Sequence, residues 1–247
     1  MSAALIESHA LTLVAAGRTL VHALDWRAAI GERWCVIGRN AAGKSSLLRA
    51  LAGIGDAALQ RAGEVRWLGR ATDAWPASDA ASVRAFLPQQ TSDRFPITVR
   101  RLLELSLVQA RHDPHALLLA LDAAALPERN VLELSGGERQ RVALAQCAVQ
   151  GAPLLLLDEP VAFQDPAHQL QVAQWLGTLA QDHALVISAH DVNWIAGAAT
   201  HVLALLPDGR CEQGTAAEML VADRLERVYG CAWRAVNGDG APVWVAH

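Results

Sequence analysis

Lysine and long apolar runs are both scarce in this chain of 247 residues. One of its 21 basic side chains is a lysine, Lys44, and the net charge of −4 gives no electrostatic support for a nucleic-acid partner. No apolar run approaches the ~18 residues that a membrane-spanning helix needs. The N-terminus lacks a basic segment and Glu7 interrupts its first apolar stretch, so we predict no signal peptide. We therefore expect a chain that is soluble by itself and reaches a membrane only through a partner.

Cysteine is also sparse, and its positions lie far apart: Cys35, Cys147, Cys211 and Cys231. Because there is no Cys-x-x-Cys pair, the spacing predicts neither a clustered metal site nor a disulfide framework. Reduced thiols in a cytosolic protein are the simplest interpretation. The remaining composition, 52% hydrophobic and 19% charged, is typical of a globular chain that buries one substantial core.

The single lysine lies in the segment Gly38-Arg39-Asn40-Ala41-Ala42-Gly43-Lys44-Ser45, which has the spacing of a phosphate-binding loop. Its glycines let backbone amides turn inward, and the hydroxyl of Ser45 can ligate Mg²⁺. Lysine is a compact charge on a thin stem, whereas arginine's wide planar fork does not fit through a tight nest of amides. A strand predicted at Arg33–Ile37 and a helix predicted at Ser45–Leu51 flank the loop. This context favours nucleotide binding over a chance glycine turn.

Predicted strands and helices alternate along the chain, which indicates an α/β fold with a mostly parallel sheet. An antiparallel hairpin is predicted between Leu5 and Trp26, with its turn at Ala16-Gly17-Arg18. Leucines and alanines at helical spacing predict helices from Val99 to Leu126, broken at Asp113-Pro114 and at Pro127. Further strands are predicted at Gly63–Leu68, Val83–Leu87, Leu154–Leu157, Ala184–Ala189, Val202–Leu206 before Pro207-Asp208-Gly209, and in two pieces of Ala232–Val245 around Asn237-Gly238-Asp239-Gly240.

Two carboxylates, Asp158 and Glu159, directly follow the apolar run Leu154–Leu157. Ligands of open α/β sheets bind at the carboxyl ends of the strands. At that place Asp158 can hold Mg²⁺ and Glu159 can polarise an attacking water. Solvated acids that cap a strand end are the alternative interpretation, and the phosphate loop in the same chain disfavours it.

The segment Leu134-Ser135-Gly136-Gly137-Glu138 has two interpretations. Ser-x-x-Glu before an apolar helix is an ordinary capping box. Consecutive glycines weaken a helix and are useful where another group must approach closely. A serine hydroxyl and bare amides at a helix N-terminus form an anion site, so this segment is also a candidate for a second phosphate contact.

These motifs in this order, together with Gln89, the segment LSGGERQR and His190, resemble the ATP-binding subunit of an ABC transporter over nearly the whole chain. The resemblance implies one ABC-type domain, residues 1–247, with a P-loop NTPase core and an antiparallel N-terminal part. It also implies a helical subdomain inserted at about 91–148. The implied activity is ATP hydrolysis with Mg²⁺ as cofactor.

The resemblance implies a role for each matched position. Glu159, His190 and Lys44 would be catalytic. Two of the matched residues have a structural alternative: Gln89 as a plain turn glutamine, and His190 as a structural histidine. Metal ligands would be Ser45, Gln89 and Asp158. ATP would be bound by Gly38, Arg39, Asn40, Ala41, Ala42, Gly43, Lys44, Ser45, Ser46 and Gln89, and the nucleotide of a second copy in a homodimer by Ser135, Gly136, Gly137 and Asp165.

The implied partners are integral membrane permease subunits and a periplasmic or extracellular substrate-binding protein, with the chain peripheral at the cytoplasmic face of the cell membrane. Leu87-Pro88-Gln89-Gln90 before Phe95–Val99, and the later Val228-Tyr229-Gly230, resemble importers of iron chelates, haem and vitamin B12. The alternatives are a soluble ABC-type ATPase and an importer of another small solute.

Two positions depart from the family's pattern. The aromatic residue that members often place near the N-terminus to stack on adenine is absent at about Ala15, where Arg18 or His22 are possible substitutes. The segment Val161–Asp165 differs from the usual Ser-Ala-Leu-Asp, although it keeps the aspartate.

Overall fold

A computed structural model describes residues 3–90, 95–109, 111–236 and 242–247. The strands are β1 (Ala4–Ala15), β2 (Arg18–Ala29), β3 (Arg33–Ile37), β4 (Leu59–Trp67), β5 (Arg70–Ala71), β6 (Arg84–Leu87), β7 (Leu154–Asp158), β8 (Ala184–Ser188), β9 (His201–Leu205), β10 (Cys211–Thr215), β11 (Trp233–Val236) and β12 (Val243–Ala246). The α-helices are α1 (Lys44–Leu51), α2 (Ala77–Val83), α3 (Val99–Ser106), α4 (Pro114–Ala120), α5 (Gly136–Val149), α6 (Pro166–Leu179), α7 (Val192–Ala198), α8 (Ala216–Met219) and α9 (Ala222–Tyr229).

The central sheet has the strand order β10-β9-β3-β8-β7-β6. Strands β9, β3, β8, β7 and β6 run parallel, and β10 pairs antiparallel with β9 at the edge. The predicted strand at Arg33–Ile37 therefore lies in the middle of the sheet, next to the predicted strand at Ala184–Ala189. The predicted α/β class with a mostly parallel sheet is confirmed.

The central sheet separates two hydrophobic cores. Along β7, Leu154 and Leu156 pack in the core that contains α1. Leu155 and Leu157 belong to the core that contains α5 and α6. Successive side chains of a strand point to opposite faces, so a strand covered on both faces is apolar at every position. This is why the run Leu154–Leu157 is uninterrupted.

An antiparallel sheet with the order β2-β1-β4-β5 forms the N-terminal part. The predicted hairpin is confirmed, and its strands are longer than predicted because they reach Ala4 and Ala29. Its turn contains Ala16 and Gly17 with φ of 48° and 75°. The antiparallel β part is thus a separate sheet beside the parallel one.

The helical stretch predicted from Val99 to Leu126 contains two short helices, α3 and α4. The break predicted at Asp113-Pro114 is the start of α4, because the Asp113 carboxylate accepts from the amides of His115 and Ala116 at 3.1 and 3.3 Å. Pro114 occupies the first turn, where a missing N–H costs nothing. The predicted start of the inserted subdomain, Thr91, lies outside the described residues.

The C-terminal segment forms the predicted strand pair, in which β11 pairs antiparallel with β12. The turn predicted at Asn237–Gly240 lies outside the described residues. Asn193 of α7 ties this hairpin to the core, since its side chain donates to the Trp244 carbonyl at 3.1 Å and accepts from the Trp244 amide at 2.7 Å. In the described part of the chain, no helix is long and apolar enough to cross a membrane.

The two-sided burial of β7 predicts a large effect of truncating one of its leucines. Leu156→Ala should lower the free energy of unfolding by about 2–5 kcal/mol, because Leu156 is fully buried (0% exposed) and leaves a cavity. Urea denaturation measures this value. The matched control is Leu170→Ala on α6, whose side chain is 65% exposed and which should change stability little. Equal losses in the two variants would contradict this account of the core.

Candidate active site

The phosphate-loop segment connects β3 to α1, as predicted. Gly43 has φ of 100°, and a Cβ at this position would lie 2.9 Å from the Leu20 Cβ, so only glycine fits. Gly38 is similarly crowded, since a Cβ there would lie 3.1 Å from both the Ala42 Cβ and the Leu205 carbonyl oxygen. Both glycines of the motif are therefore required by the loop's own geometry, without any ligand.

The Lys44 side chain folds back over the loop that precedes it. Its Nζ donates to the carbonyl oxygens of Gly38 and Arg39 at 2.9 and 3.2 Å, and the residue is 7% exposed. Burial lowers the pKa of the ammonium, and the charges of Glu159 and Asp158 oppose that shift. A buried cation held by exchangeable carbonyl contacts is suited to bind phosphate oxygens.

A cavity of about 710 Å³ opens above this loop. Its wall combines loop residues with side chains from the ends of three strands of the central sheet. The lining residues are Ala15, Leu20, Asn40, Ala41, Ala42, Gly43, Lys44, Ser45, Ser46, Gln89, Glu159 and His190. The tertiary structure thus brings together Gln89, Glu159 and His190, which are far apart in the chain.

The two carboxylates lie at the C-terminal end of β7, as predicted: Asp158 is the last residue of the strand, Glu159 follows it, and Ser188 contacts both residues. The Ser188 hydroxyl donates to Asp158 Oδ1 and accepts from the Glu159 amide at 2.9 Å. Gln140 of α5 donates to the Glu159 carbonyl oxygen at 3.2 Å. Asp158 is buried (3% exposed), and the Glu159 backbone is in the left-handed region with φ of 51°. The carboxylate pair is therefore positioned by contacts from β8 and α5.

His190 follows β8, and its Nδ1 lies 3.9 Å from Glu159 Oε2. Its side chain is 65% exposed at the cavity mouth. An exposed imidazole next to a carboxylate can hold a phosphate oxygen or a proton.

Sequence reasoning missed Ser188 and Gln140. A signal for Ser188 was present, because it is the one polar residue in the apolar strand Ala184–Ser188. Ser188 is also fully buried (0% exposed), and a buried hydroxyl needs a partner. Gln140 gave no such signal, since its contact depends on how α5 packs against β7.

Ser135 and the following glycines begin α5, away from the cavity wall. The capping box is confirmed: Ser135 Oγ accepts from the Glu138 amide at 3.3 Å, and Glu138 Oε2 accepts from the Ser135 amide at 2.8 Å. A Cβ at Gly136 or Gly137 would come no closer than 3.4 Å to Phe163, an ordinary contact. Steric crowding by the described residues therefore does not explain the two glycines.

Asp165 also lies off the cavity wall and caps α6. Its carboxylate accepts from the His168 amide at 3.0 Å and pairs with His168 Nδ1 at 2.8 Å. These bonds from His168 lower the pKa of Asp165, and the bonds to Asp165 and Asp122 raise the pKa of His168. On a single chain, Asp165 has a structural role.

The position expected for an adenine-stacking aromatic is occupied by Ala15, which lines the cavity together with Leu20. The proposed substitute Arg18 lines a neighbouring pocket of about 240 Å³ that shares Asn40 and Ala42 with the main cavity. The other proposed substitute, His22, lines neither cavity. Ala15 and Leu20 therefore present apolar side chains to the cavity where an aromatic ring was expected.

A parallel α/β sheet with a glycine loop, a buried lysine and a carboxylate pair at its strand ends defines a P-loop nucleoside triphosphatase. Residues 21–162 match the ABC transporter family. The chain belongs to the ABC transporter family. The predicted resemblance and the predicted ABC-type ATPase class are thereby confirmed.

Relatives and solved structures agree with this assignment. The hemin import ATP-binding protein HmuV of Ruegeria sp. (strain TM1040) is 34% identical over 243 residues, 93% of this chain and 92% of that protein. HmuV of Roseobacter denitrificans (strain ATCC 33942 / OCh 114) is 38% identical over 234 residues, 88% of each chain. A metal-chelate type ABC transporter in an inward-facing conformation has a TM-score of 0.81 at 21% identity, covering 99% of this chain and 98% of that one.

The contacts of Ser188 predict an effect on both stability and turnover. Ser188→Ala should lower the free energy of unfolding by about 1–3 kcal/mol, because a buried Asp158 oxygen loses its partner. It should also slow ATP hydrolysis, because the Asp158 carboxylate and the Glu159 backbone amide both lose a contact that positions them. Urea denaturation and a phosphate-release assay measure the two effects. The control is Ser78→Ala, an exposed serine on α2, and wild-type turnover in Ser188→Ala would contradict the positioning role.

Proposed function

We propose that this chain is the ATP-hydrolysing subunit of an ABC importer and that it acts as a homodimer with two shared Mg-ATP sites. The supporting observation is that the motif residues of one chain form two separate groups, one on the cavity wall and one away from it. The phosphate loop, Gln89, Glu159 and His190 share one cavity, whereas Ser135 and Asp165 lie off its wall. A second copy placed head-to-tail supplies what one chain does not bring to its own cavity.

The residues around the loop fit a magnesium ion. Ser45, Gln89 and Asp158 offer a hydroxyl, an amide and a carboxylate oxygen, and oxygen is the ligand atom that Mg²⁺ prefers. The buried Asp158 has one oxygen engaged by Ser188, which holds the carboxylate in place. Mg²⁺ neutralises charge on the β- and γ-phosphates when it is bound.

Glu159 is the general base in this proposal. Its carboxylate lies on the cavity wall, 3.9 Å from His190, and accepts the proton of the attacking water. His190 holds the γ-phosphate, and Lys44 exchanges its contacts with the Gly38 and Arg39 carbonyls for phosphate oxygens. The loop amides and the α1 N-terminus stabilise the added negative charge.

The second copy contributes Ser135, Gly136, Gly137 and Asp165. The Ser135 hydroxyl and the bare amides at the start of α5 form an anion site that faces outward in this proposal. The small glycines permit close approach of a γ-phosphate from the other chain, in agreement with the absence of crowding at these two positions by the described residues. ATP is then part of the dimer interface, and its hydrolysis removes contacts between the two chains and lets the dimer open.

The homodimer drives integral membrane permease subunits at the cytoplasmic face of the cell membrane, with a substrate-binding protein on the other side. Each chain is one ABC-type domain, residues 1–247, with its helical subdomain at about 91–148. The cargo is hemin, within the wider class of iron chelates, haem and cobalamin. The relatives named as hemin import proteins support this choice.

The base assignment predicts a variant that traps the dimer. Glu159→Gln should lower ATP turnover by about 100-fold or more while nucleotide binding persists. With Mg-ATP the variant should elute as a dimer, which size-exclusion chromatography with light scattering detects. The matched control is Glu226→Gln, an exposed glutamate on α9. A Glu159→Gln chain that stays monomeric with saturating Mg-ATP would overturn the shared-site proposal.

The cargo assignment predicts selective stimulation of the assembled transporter. The chain should co-purify with a polytopic permease encoded next to it, and the complex in lipid vesicles with its binding protein should hydrolyse ATP faster with hemin than with cobalamin or a ferric siderophore. Stimulation by another of these solutes alone would reassign the cargo. Failure to associate with any permease would favour a soluble ATPase.

A further inference from the structure

A second cavity, of about 300 Å³, lies where the start of α4 meets the turn between α6 and β8. Two histidines, His112 and His183, line it. Their Nε2 atoms are 3.4 Å apart, and the rings stack with centroids 5.3 Å apart. Neither histidine belongs to the nucleotide cavity.

The hydrogen bonding of His183 determines which of its nitrogens is free to bind. Its Nδ1 lies 2.8 Å from the Leu179 carbonyl oxygen, which can only accept, so the Nδ1–H donates and Nε2 carries a lone pair. A hydrogen bond from the other ring nitrogen to a carbonyl is how proteins orient metal-ligating histidines. Burial lowers the pKa of both His112 and His183, which favours the neutral imidazole that binds metal ions.

The distance between the two Nε2 atoms matches the distance between two nitrogen ligands of one metal ion. Two imidazole nitrogens on a tetrahedral Zn²⁺ are about 3.3 Å apart, given metal–nitrogen distances of about 2.0–2.1 Å. When no metal ion is bound, His112 Nε2–H donates to His183 Nε2 across 3.4 Å. Metal binding requires only that His112 transfer this proton to its Nδ1, so both imidazoles remain neutral.

We propose that His112 and His183 bind a divalent transition metal ion of the zinc class through their Nε2 atoms. Imidazole is a ligand that zinc, copper and nickel share. Among the described residues, no third His, Cys, Asp or Glu completes a ligand set, so water fills the other positions. The negative charge of Asp182 favours a cation at this place and Arg111 opposes it. The site therefore binds less tightly than a closed four-ligand site.

A metal ion here links two distant parts of the chain. The ligands are 71 positions apart, one before α4 and one in the turn that precedes β8. An ion that binds the folded chain but not the unfolded chain stabilises the fold by an amount that grows with the ratio of free ion concentration to its dissociation constant. The melting temperature should therefore rise with metal concentration.

The test uses the full chain without a histidine tag, freed of metal with a chelator. Co²⁺ is the optical probe, because its visible bands report imidazole ligation, and Zn²⁺ competition gives the affinity. The wild-type chain should bind one ion, and His112→Ala and His183→Gln should each weaken binding about tenfold or more. The matched control is His115→Ala, an exposed histidine on α4, which should bind as the wild type does.

Three results would overturn the proposal. The first is no binding of either ion by the wild-type chain at millimolar concentration. The second is a less than tenfold loss in His112→Ala, which would place the ion elsewhere. The third is equal weakening in His115→Ala. His112 is partly exposed, so His112→Ala keeps the fold, and its unmetallated melting temperature checks this.

Discussion

The parallel pairing of β3, β8 and β7 is the constraint on which the active site depends. In this register Val36 pairs with Ser188, and Ser188 pairs with Asp158, so three strand ends form one row across the sheet. The residues that follow this row are the phosphate loop, His190 and Glu159. Because side chains alternate faces along a strand, a slip of one residue would direct these groups to the wrong side.

Burial of charge at this row is tolerated because each group has a partner. Asp158 accepts from Ser188, and Lys44 donates to two loop carbonyls. An unpaired buried charge would cost several kcal/mol, so these contacts belong to stability as well as to chemistry. The contacts of Lys44 are to neutral carbonyls, and in the proposed ATP complex phosphate oxygens take their place without leaving the ammonium unpaired. The same interactions therefore hold the chain folded and prepare it for a triphosphate.

The start of α5 shows how a structural motif and a binding motif occupy the same residues. Ser135 and Glu138 form a complete capping box, which accounts for the serine and the glutamate but not for Gly136 and Gly137. Glycine is a weaker helix former than alanine, so two of them in the first turn do not favour the helix. The described neighbours of Gly136 and Gly137 do not explain why glycine is used there instead of a better helix former. A contact with another molecule would explain it, and the homodimer proposed above provides such a contact.

The sequence alone determined the local elements and the motif residues. The phosphate loop, the strand before it and the leucine run of β7 were all predictable, because glycine spacing and apolar periodicity act over a few residues. The break at Asp113-Pro114 was predictable from the proline, whereas the periodicity did not show that α3 ends at Ser106 and α4 at Ala120. Only the tertiary structure decided the contacts between distant residues. Ser188 meets Asp158 across 30 positions and His112 meets His183 across 71, because sheet register and helix packing, which no local pattern encodes, bring them together.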